Sequence, residues 1–466
     1  MTALQPKLRI AVPIPLTPHP RRWNTLEWLR ASRAAILALD ALLLIAVLVG
    51  ANVHHQAMQA IGHDSAPSII AAQKIKSALA DMDAEAANEL LSPAGSAAAA
   101  DLALYEKHRT EAASALIEAA KNITYGNSEL EPILAVQVSL GQYERFVQQA
   151  RDFHRRGDPA FLDAYRAAAQ VMDERLLPAA DRLDDANDVE LEKAYKNQST
   201  RSVAARTFVL LSGLLSVVVL LAIQVFLSRR TRRTFNPLLA AATLLAFGLT
   251  AYALSAFETE RTQLKIARED AFTSIHALGR ARAIAFEANG LESRSLLDAA
   301  HAVELQSAFN ADADRIAHLP PGSEVDDVLR ELSKKDGRVE GFTGLLADEL
   351  NNITFDGERE AAVKSLGTWE TYLGIDAQLR QLARAGQTQK AVELCVGKAP
   401  GESDWAFEQF DQALGATLDL NQAAFDRAVK TGFDALEPLD LAASIVTALI
   451  AVLSVLGMQP RLREYE

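Results

Sequence analysis

A single cysteine, Cys395, excludes an intramolecular disulfide anywhere in the chain. Any exported part must then be held by helix packing alone, and a lone thiol in a helical stretch reads as a small apolar residue. Histidine is sparse as well. His54, His55 and His63 cluster loosely beside an apolar run, but no cysteine, acidic run or second histidine pair completes a metal pattern, so they read as surface histidines near a membrane. There is no glycine-rich phosphate loop, Walker motif or nucleophile elbow. The expectation is a non-enzyme without cofactor or metal. Strand-like alternation is also missing, which points to an all-α fold.

What the chain has in excess is apolar sequence, and it is clustered. Hydrophobic residues make up 49% of the chain and charged ones 23%, yet four runs are nearly free of charge: Ala34–Val53, Phe208–Leu227, Leu238–Phe257 and Leu441–Met458. At a rise of about 1.5 Å per residue, each run matches a hydrocarbon core about 30 Å thick. A soluble core helix seldom stays apolar on every face for that length. The first run could be taken for a cleaved leader ending near Val49-Gly50-Ala51. The long segment before it, Asp40 within it and a matching run in the second half favour a permanent anchor.

Basic residues set the orientation. The segment before the first run carries Lys7, Arg9, Arg21, Arg22, Arg30 and Arg33 against Glu27, and the link between the second and third runs holds Arg229, Arg230, Arg232 and Arg233 without an acid. Both are expected in the cytoplasm, as is the C-terminal tail. The organisation expected is a cytoplasmic tail over 1–33, spans over 34–53, 208–227, 238–257 and 441–458, outer helical bundles over 54–207 and 258–440, a basic link over 228–237 and a tail over 459–466. The chain's net charge is −13; the first tail carries +5 and the link +4, so the outer segments together carry −21 once Asp40 is set aside. Such acidity argues against nucleic acid as a partner.

The chain is duplicated. Shifted by 206 positions, the first span falls on the third, Ser68-Ile69 on Ser274-Ile275, Lys76 on Arg282, Asp81 on Glu287, Asp83 on Asn289 and Leu90-Leu91 on Leu296-Leu297. Asn122-Ile123-Thr124-Tyr125 then matches Asn352-Ile353-Thr354-Phe355, and Leu140-Gly141-Gln142-Tyr143-Glu144 matches Leu366-Gly367-Thr368-Trp369-Glu370. The shift has grown to 230 and then 226, so the second half has gained length before its Asn-Ile-Thr, around Pro320-Pro321-Gly322. The fold expected is two tandem extracytoplasmic up-down bundles, one an internal duplicate of the other.

Within each bundle the punctuation is helical. Ile75, Leu79, Met82 and Ala86 form one apolar stripe, Gly126 reads as a helix stop, Ser128 with Glu131 as a capping box, and Gly157-Asp158-Pro159 as stop, cap and first-turn proline. A last helix from Pro159, bent at Pro178, is expected to run into the second span. The two Asn-Ile-Thr tripeptides match a glycosylation acceptor, but their place between helices explains them as C-terminal caps.

Chemistry-bearing residues are few. Asp81 and Asp83 lie two apart on a helix and point away from each other, whereas Asp81 and Glu85 share a face that reads as solvated. Asp40 is the single acid within a span, and its counterpart is Ala246. Candidate extracytoplasmic interaction residues are Asp81, Asp83, Asn88, Glu287 and Asn289. Candidate cytoplasmic docking residues are Arg229, Arg230, Arg232 and Arg233, whose plainer reading is topology alone. The short inward-facing segments leave no room for a kinase or cyclase domain, so a signal would leave through another chain.

The order span, bundle, span, span, bundle, span, with Asp64-Ser65-Ala66-Pro67-Ser68-Ile69 and Asp81-Met82-Asp83-Ala84-Glu85-Ala86-Ala87-Asn88, resembles the GlnX-type membrane proteins of actinobacteria. The resemblance implies a relay of amino-acid availability from a solute-binding lipoprotein of the GlnH type to a cytoplasmic Ser/Thr kinase of the PknG type. It carries no catalytic residue across. Partners expected are therefore membrane lipid, that lipoprotein, that kinase and, in a homodimer, a second copy. A direct small-molecule sensor and a non-signalling membrane scaffold stay open beside it.

Overall fold

A computed structural model of the chain describes residues 25–93, 95–231 and 236–463. They form helices throughout, with one isolated antiparallel bridge between His318 and Thr343. In chain order the α-helices are α1 (Thr25–Gln59), α2 (Ala66–Leu91), α3 (Ser96–Lys121), α4 (Asn127–Arg155), α5 (Phe161–Val171), α6 (Leu177–Thr231) and α7 (Pro237–Lys265). The second half continues with α8 (Thr273–Leu297), α9 (Ala302–Ile316), α10 (Val325–Leu332), α11 (Leu345–Asn351), α12 (Glu358–Arg384), α13 (Thr388–Cys395), α14 (Ser403–Leu436) and α15 (Leu439–Arg463). Three π-helical segments, Ala60–Ser65, Met172–Leu176 and Ile266–Phe272, join α1 to α2, α5 to α6 and α7 to α8.

The chain divides into two compact units, one drawn from Met1–Ala46, Val209–Ala251 and Leu441–Glu466, the other from Val47–Phe208 and Tyr252–Asp440. The first unit holds the charge-poor stretches of four helices long and apolar enough to cross a membrane. Its outward side chains include Leu214, Val218, Leu244, Phe247 and Val452, with Leu244 72% exposed. Helices that display leucine and phenylalanine in this way are not the core of a soluble protein, so the chain is a multi-pass membrane protein. Inside this unit small residues allow close approach: a Cβ on Gly213 would lie 2.1 Å from Thr250 Oγ1. Gln224 Nε2 donates to Thr243 Oγ1 at 2.9 Å, and Asn236 Nδ2 to the Gly457 carbonyl at 2.8 Å. Asp40 is buried among Ile36, Leu39, Ser216, Leu220, Ala246 and Ile450, turned to the protein interior and away from lipid.

The second unit contains both repeats, and their apolar side chains form one continuous core. α2 and α8 lie at its centre and run parallel, because they touch at equivalent positions: Gln73 against Gly279 and Ala84 against Gly290. The same equivalence holds one level earlier, where His54 of α1 meets Glu260 of α7. Each of these pairs is separated by the repeat shift of 206, so a local two-fold axis runs between the helices. The spacing explains the π segments. From Ala84 back to Gln73 is about three turns at 3.6 residues per turn, which keeps one face on the partner. From Gln73 back to His54 is about five turns plus one residue, and the extra residue is absorbed where both helices widen, at Ala60–Ser65 and Ile266–Phe272.

Around this pair each repeat builds its own bundle, α2–α6 in the first and α8–α14 in the second, and duplicated hydrogen bonds confirm the pairing. Lys76 binds Asp181 at 2.8 Å, and its counterpart Arg282 binds Asp411 at 2.6 Å. Asn122 caps α3 and donates to the Asp64 carbonyl and Ser68 Oγ; Asn352 caps α11 and donates to the Asp270 carbonyl and Ser274 Oγ. The two Asn-Ile-Thr asparagines are thus helix caps that clamp the ends of the π segments. The gained length in the second repeat is the excursion over 317–344, which carries α10 and lays Leu329 over Gly367 of α12.

Some local expectations need correction. The Ser128–Glu131 box does not form: Gly126 caps α4, and Glu129 Oε2 accepts from the Thr124 and Tyr125 amides at 2.7 and 2.6 Å. A neighbouring acid won because the chain enters α4 through a positive-φ glycine, which turns both preceding amides toward position 129. Before Pro178 the chain does not simply bend but widens into the π segment Met172–Leu176, which accommodates a proline that cannot donate into the ladder.

Candidate functional site

The helix pair α2–α8 brings most of the candidate residues together. Asp83 is 3% exposed, receives the Tyr143 hydroxyl at 2.9 Å and is ion-paired to Arg294 of α8. Arg294 also holds Asp173 at 2.9 Å, so one guanidinium ties α2, α8 and the π segment before α6. Asn88 Oδ1 accepts from Ser293 Oγ at 2.6 Å, and Glu287 binds Lys76 at 2.8 Å. Asp83 and Asn88 are therefore not surface side chains but the buried polar part of the interface between repeats, and Asn289 is buried on α8 as well. The polar groups of Asp83 and Asn88 are answered by partners in the other repeat, as burial requires.

Asp81 faces the other way, as the two-residue offset requires, and opens onto a cleft of about 680 Å³. One wall is α2 and α3 of the first repeat, the other α8 and α14 of the second. His108 Nε2 reaches Asp81 at 3.0 Å and its Nδ1 reaches Glu111 at 2.9 Å. Burial lowers the imidazole's affinity for a proton, but the hydrogen bond and charge of Asp81, with Glu111 behind, outweigh it and hold His108 above its ordinary value. Across the cleft Arg282 grips Asp411 through two parallel bonds of 2.6 and 2.7 Å.

Above Asp81 the acids are not solvated, contrary to the expectation for Glu85. Burial, with Asp404 and then Asp81 beside it, pushes Glu85 up to about 9 against the pull of Lys398. Asp404 rises to about 7, chiefly through burial and against Lys398. Asp101 completes the group and is paired to Lys398 at 3.0 Å. This acidic cluster joins α2 and α3 to the segment between α13 and α14. Cys395 is buried in α13, its thiol near Ser293 and Glu292.

His54 also departs from expectation. It is fully buried, its Nδ1 lies 2.5 Å from Glu260 Oε2, and its ring stacks on Phe257 at 4.3 Å. His55 and His63 are exposed and lie against Phe433. Glu260 and Arg294 escaped the sequence reading, although the shift of 206 applied to His54 lands on Glu260. The same shift applied to Asn88 lands on Arg294, but its partners Asp83 and Asp173 lie at other offsets, 211 and 121. Among the described residues no group of three or more His, Cys, Asp or Glu side chains is placed to hold a metal ion. Of the basic link, Arg229 is exposed near the end of α6; Arg230 is helical, and Arg232 and Arg233 lie outside the described residues.

A multi-pass membrane protein with a helical, duplicated second unit is the class these features define. Within it, residues 57–196 match the family model of the actinobacterial sensor domain. The matched stretch covers the first repeat from the end of α1 well into α6. No curated protein and no solved structure matches the chain.

Proposed function

We propose that the protein is a transmembrane signal relay, coupling an extracytoplasmic solute-binding lipoprotein of the GlnH type to a cytoplasmic Ser/Thr kinase of the PknG type. The observation that carries this reading is the match to a sensor domain over 57–196, on a repeat whose first and last helices belong to helices with membrane-span character. The positive-inside bias of Arg30, Arg33 and Arg229 supports an outer position for both repeats. Packed helices adopt discrete alternative arrangements, so a partner that favours one arrangement of α2 against α8 changes what the helices present on the far side. The relay has no catalytic step of its own, and its readout is amino-acid supply.

A difference between the repeats supports a protein partner on the first. α4 exposes Leu130, Leu134 and Val138, the last at 63%. The equivalent stretch of α12 carries Glu360 and Lys364, and beside it α10 seats Leu329 over Gly367, the counterpart of the open Gly141. The first repeat therefore leaves uncovered a face that the second covers with its own helix. Chemical cross-linking in cells followed by purification tests the relay. It is expected to recover a binding lipoprotein and a kinase, with the lipoprotein lost in Leu134→Asp/Val138→Asp. Recovery of neither partner from cells that contain both would remove this reading.

The direct-sensor alternative is favoured by one observation, the cleft between the repeats.

A further inference from the structure

We propose that the cleft between α2–α3 and α8–α14 is a binding site for a small zwitterionic solute, a molecule that carries a free ammonium and a free carboxylate. The proposal rests on the reading of the second unit as a sensor and adds to it a ligand held without a protein partner.

The cleft's size, about 680 Å³, falls within the usual range for small-molecule sites, about 300–1,000 Å³. Two glycines of the second repeat shape it: Gly415 leaves one wall open, and Gly279 makes room for the Gln73 side chain. A Cβ on Gly415 would meet nothing within 4 Å, whereas a Cβ on Gly279 would lie 2.0 Å from Gln73 Oε1. Gln73 is the repeat counterpart of Gly279, so a side chain at one equivalent position is accommodated by its absence at the other. That substitution breaks the two-fold symmetry where the cleft lies.

Charge breaks it again. On the opposite side of the helix pair, Asp184 is shared by His276 at 3.2 Å and Arg280 at 3.9 Å, which satisfies the cations there. Lys74, the counterpart of Arg280, is an exposed residue of the cleft and has no ion-pair partner among the described residues. Glu118 of α3 and Asp419 of α14, also exposed, line the same cleft and are likewise unpaired among the described residues. The remaining charges are committed: Arg282 to Asp411, His108 to Asp81 and Glu111, and Lys107 to Glu111 at 3.8 Å. These fixed pairs hold the walls, while Ile275, Phe286 and Leu418 supply apolar surface between them.

A simple anion would answer Lys74 and leave Glu118 and Asp419 facing it. A simple cation would do the reverse. A zwitterion pairs with both signs at once, its carboxylate on Lys74 and its ammonium toward Asp419 and Glu118. Because Lys74 and Glu118 belong to the first repeat and Asp419 to the second, a molecule that spans them favours one arrangement of α2 against α14 over others.

The test is calorimetric titration of the purified full-length protein in detergent, with no lipoprotein or kinase present. Probes are L-alanine, tri-L-alanine and the blocked N-acetyl-alanine amide. Saturable binding of at least one zwitterion is expected, with none by the blocked compound. Lys74→Gln and Asp419→Asn are each expected to weaken it by about tenfold, the loss typical of one charge-assisted contact. Gly415→Leu should abolish binding without lowering the melting temperature. The proposal is overturned if neither zwitterion binds, if the blocked compound binds equally, or if Lys74→Gln and Asp419→Asn bind like the parent. Because no partner protein is in the cell, failure of the relay would leave this result readable, and the converse holds.

Discussion

The residue with the most structural consequence is Arg294, which neutralises Asp83 and Asp173 where α2, α8 and the segment before α6 meet. Asp83 is 3% exposed and cannot recover hydration if its partner goes. Arg294→Met should therefore destabilise the second unit by about 3–5 kcal/mol, the usual cost of an uncompensated buried charge. Thermal unfolding followed by circular dichroism in detergent would show this, and a loss below about 1 kcal/mol would mean that Asp83 finds another partner or neutralises cheaply. Glu85 makes a pH-dependent prediction. Its folded-state value, about 9, lies above the ordinary 4.5, so the folded protein holds a proton that the unfolded chain releases. The contribution is fully present below the ordinary value and is lost as pH rises toward about 9, with Asp404 acting in the same direction up to about 7. Glu85→Gln should flatten the fall in melting temperature between pH 5 and pH 9 (a window of about the two values). A slope identical to the parent's would show that Glu85 does not carry it.

At the scale of elements, the π segments are register devices. Ala60–Ser65 and Ile266–Phe272 each insert the one residue that lets His54 face Glu260 on the same helix side that presents Gln73 to Gly279. Deleting Ala60 should rotate everything before it by about 100° and separate the two side chains. In a Cys395→Ala background, His54→Cys with Glu260→Cys is expected to cross-link under mild oxidation, and the Ala60 deletion to prevent it. Cross-linking of equal yield in both would show that the turn does not set the phase. Much of this scale was legible beforehand. The stripe Ile75, Leu79, Met82, Ala86 is fully buried, and Asn122 and Asn352 cap helices as their positions implied. The π turns were not legible, because their residues have ordinary helical propensity and only the facing helix demands the extra residue.

For the whole molecule, the orientation drawn from basic residues yields a direct experiment. With Cys395→Ala, Val138→Cys and Val303→Cys sit at exposed positions of the first and second repeats, at 63% and 79%, and Arg229→Cys marks the link. A membrane-impermeant maleimide applied to intact cells should label the first two, and the third only after permeabilisation. The reverse pattern would invert the topology and with it the direction of the proposed relay.

The candidate site was legible only in part. The shift of 206 paired Asp81 with Glu287 and Asp83 with Asn289, Asn88 was named beside them, and all five lie on the helix pair α2–α8. Their role was misjudged for a physical reason: a polar residue that satisfies another repeat and one that awaits a ligand have the same side chains, and differ only in burial. Lys74, Glu118 and Asp419, which carry the ligand proposal, look like any solvated charges until three helices bring them around one cleft.

By itself the sequence determined the helical class, the four apolar stretches, the duplication and the place of the inserted length, because each depends on composition or period along the chain. Only the tertiary structure decided that the repeats share one core, that His54 is buried against Glu260, and that the clefts on the two sides of α2–α8 differ in size, about 680 Å³ against about 260 Å³. Those outcomes depend on which side chains meet across an interface, and contact between residues about 200 positions apart is a property of packing that no local pattern encodes.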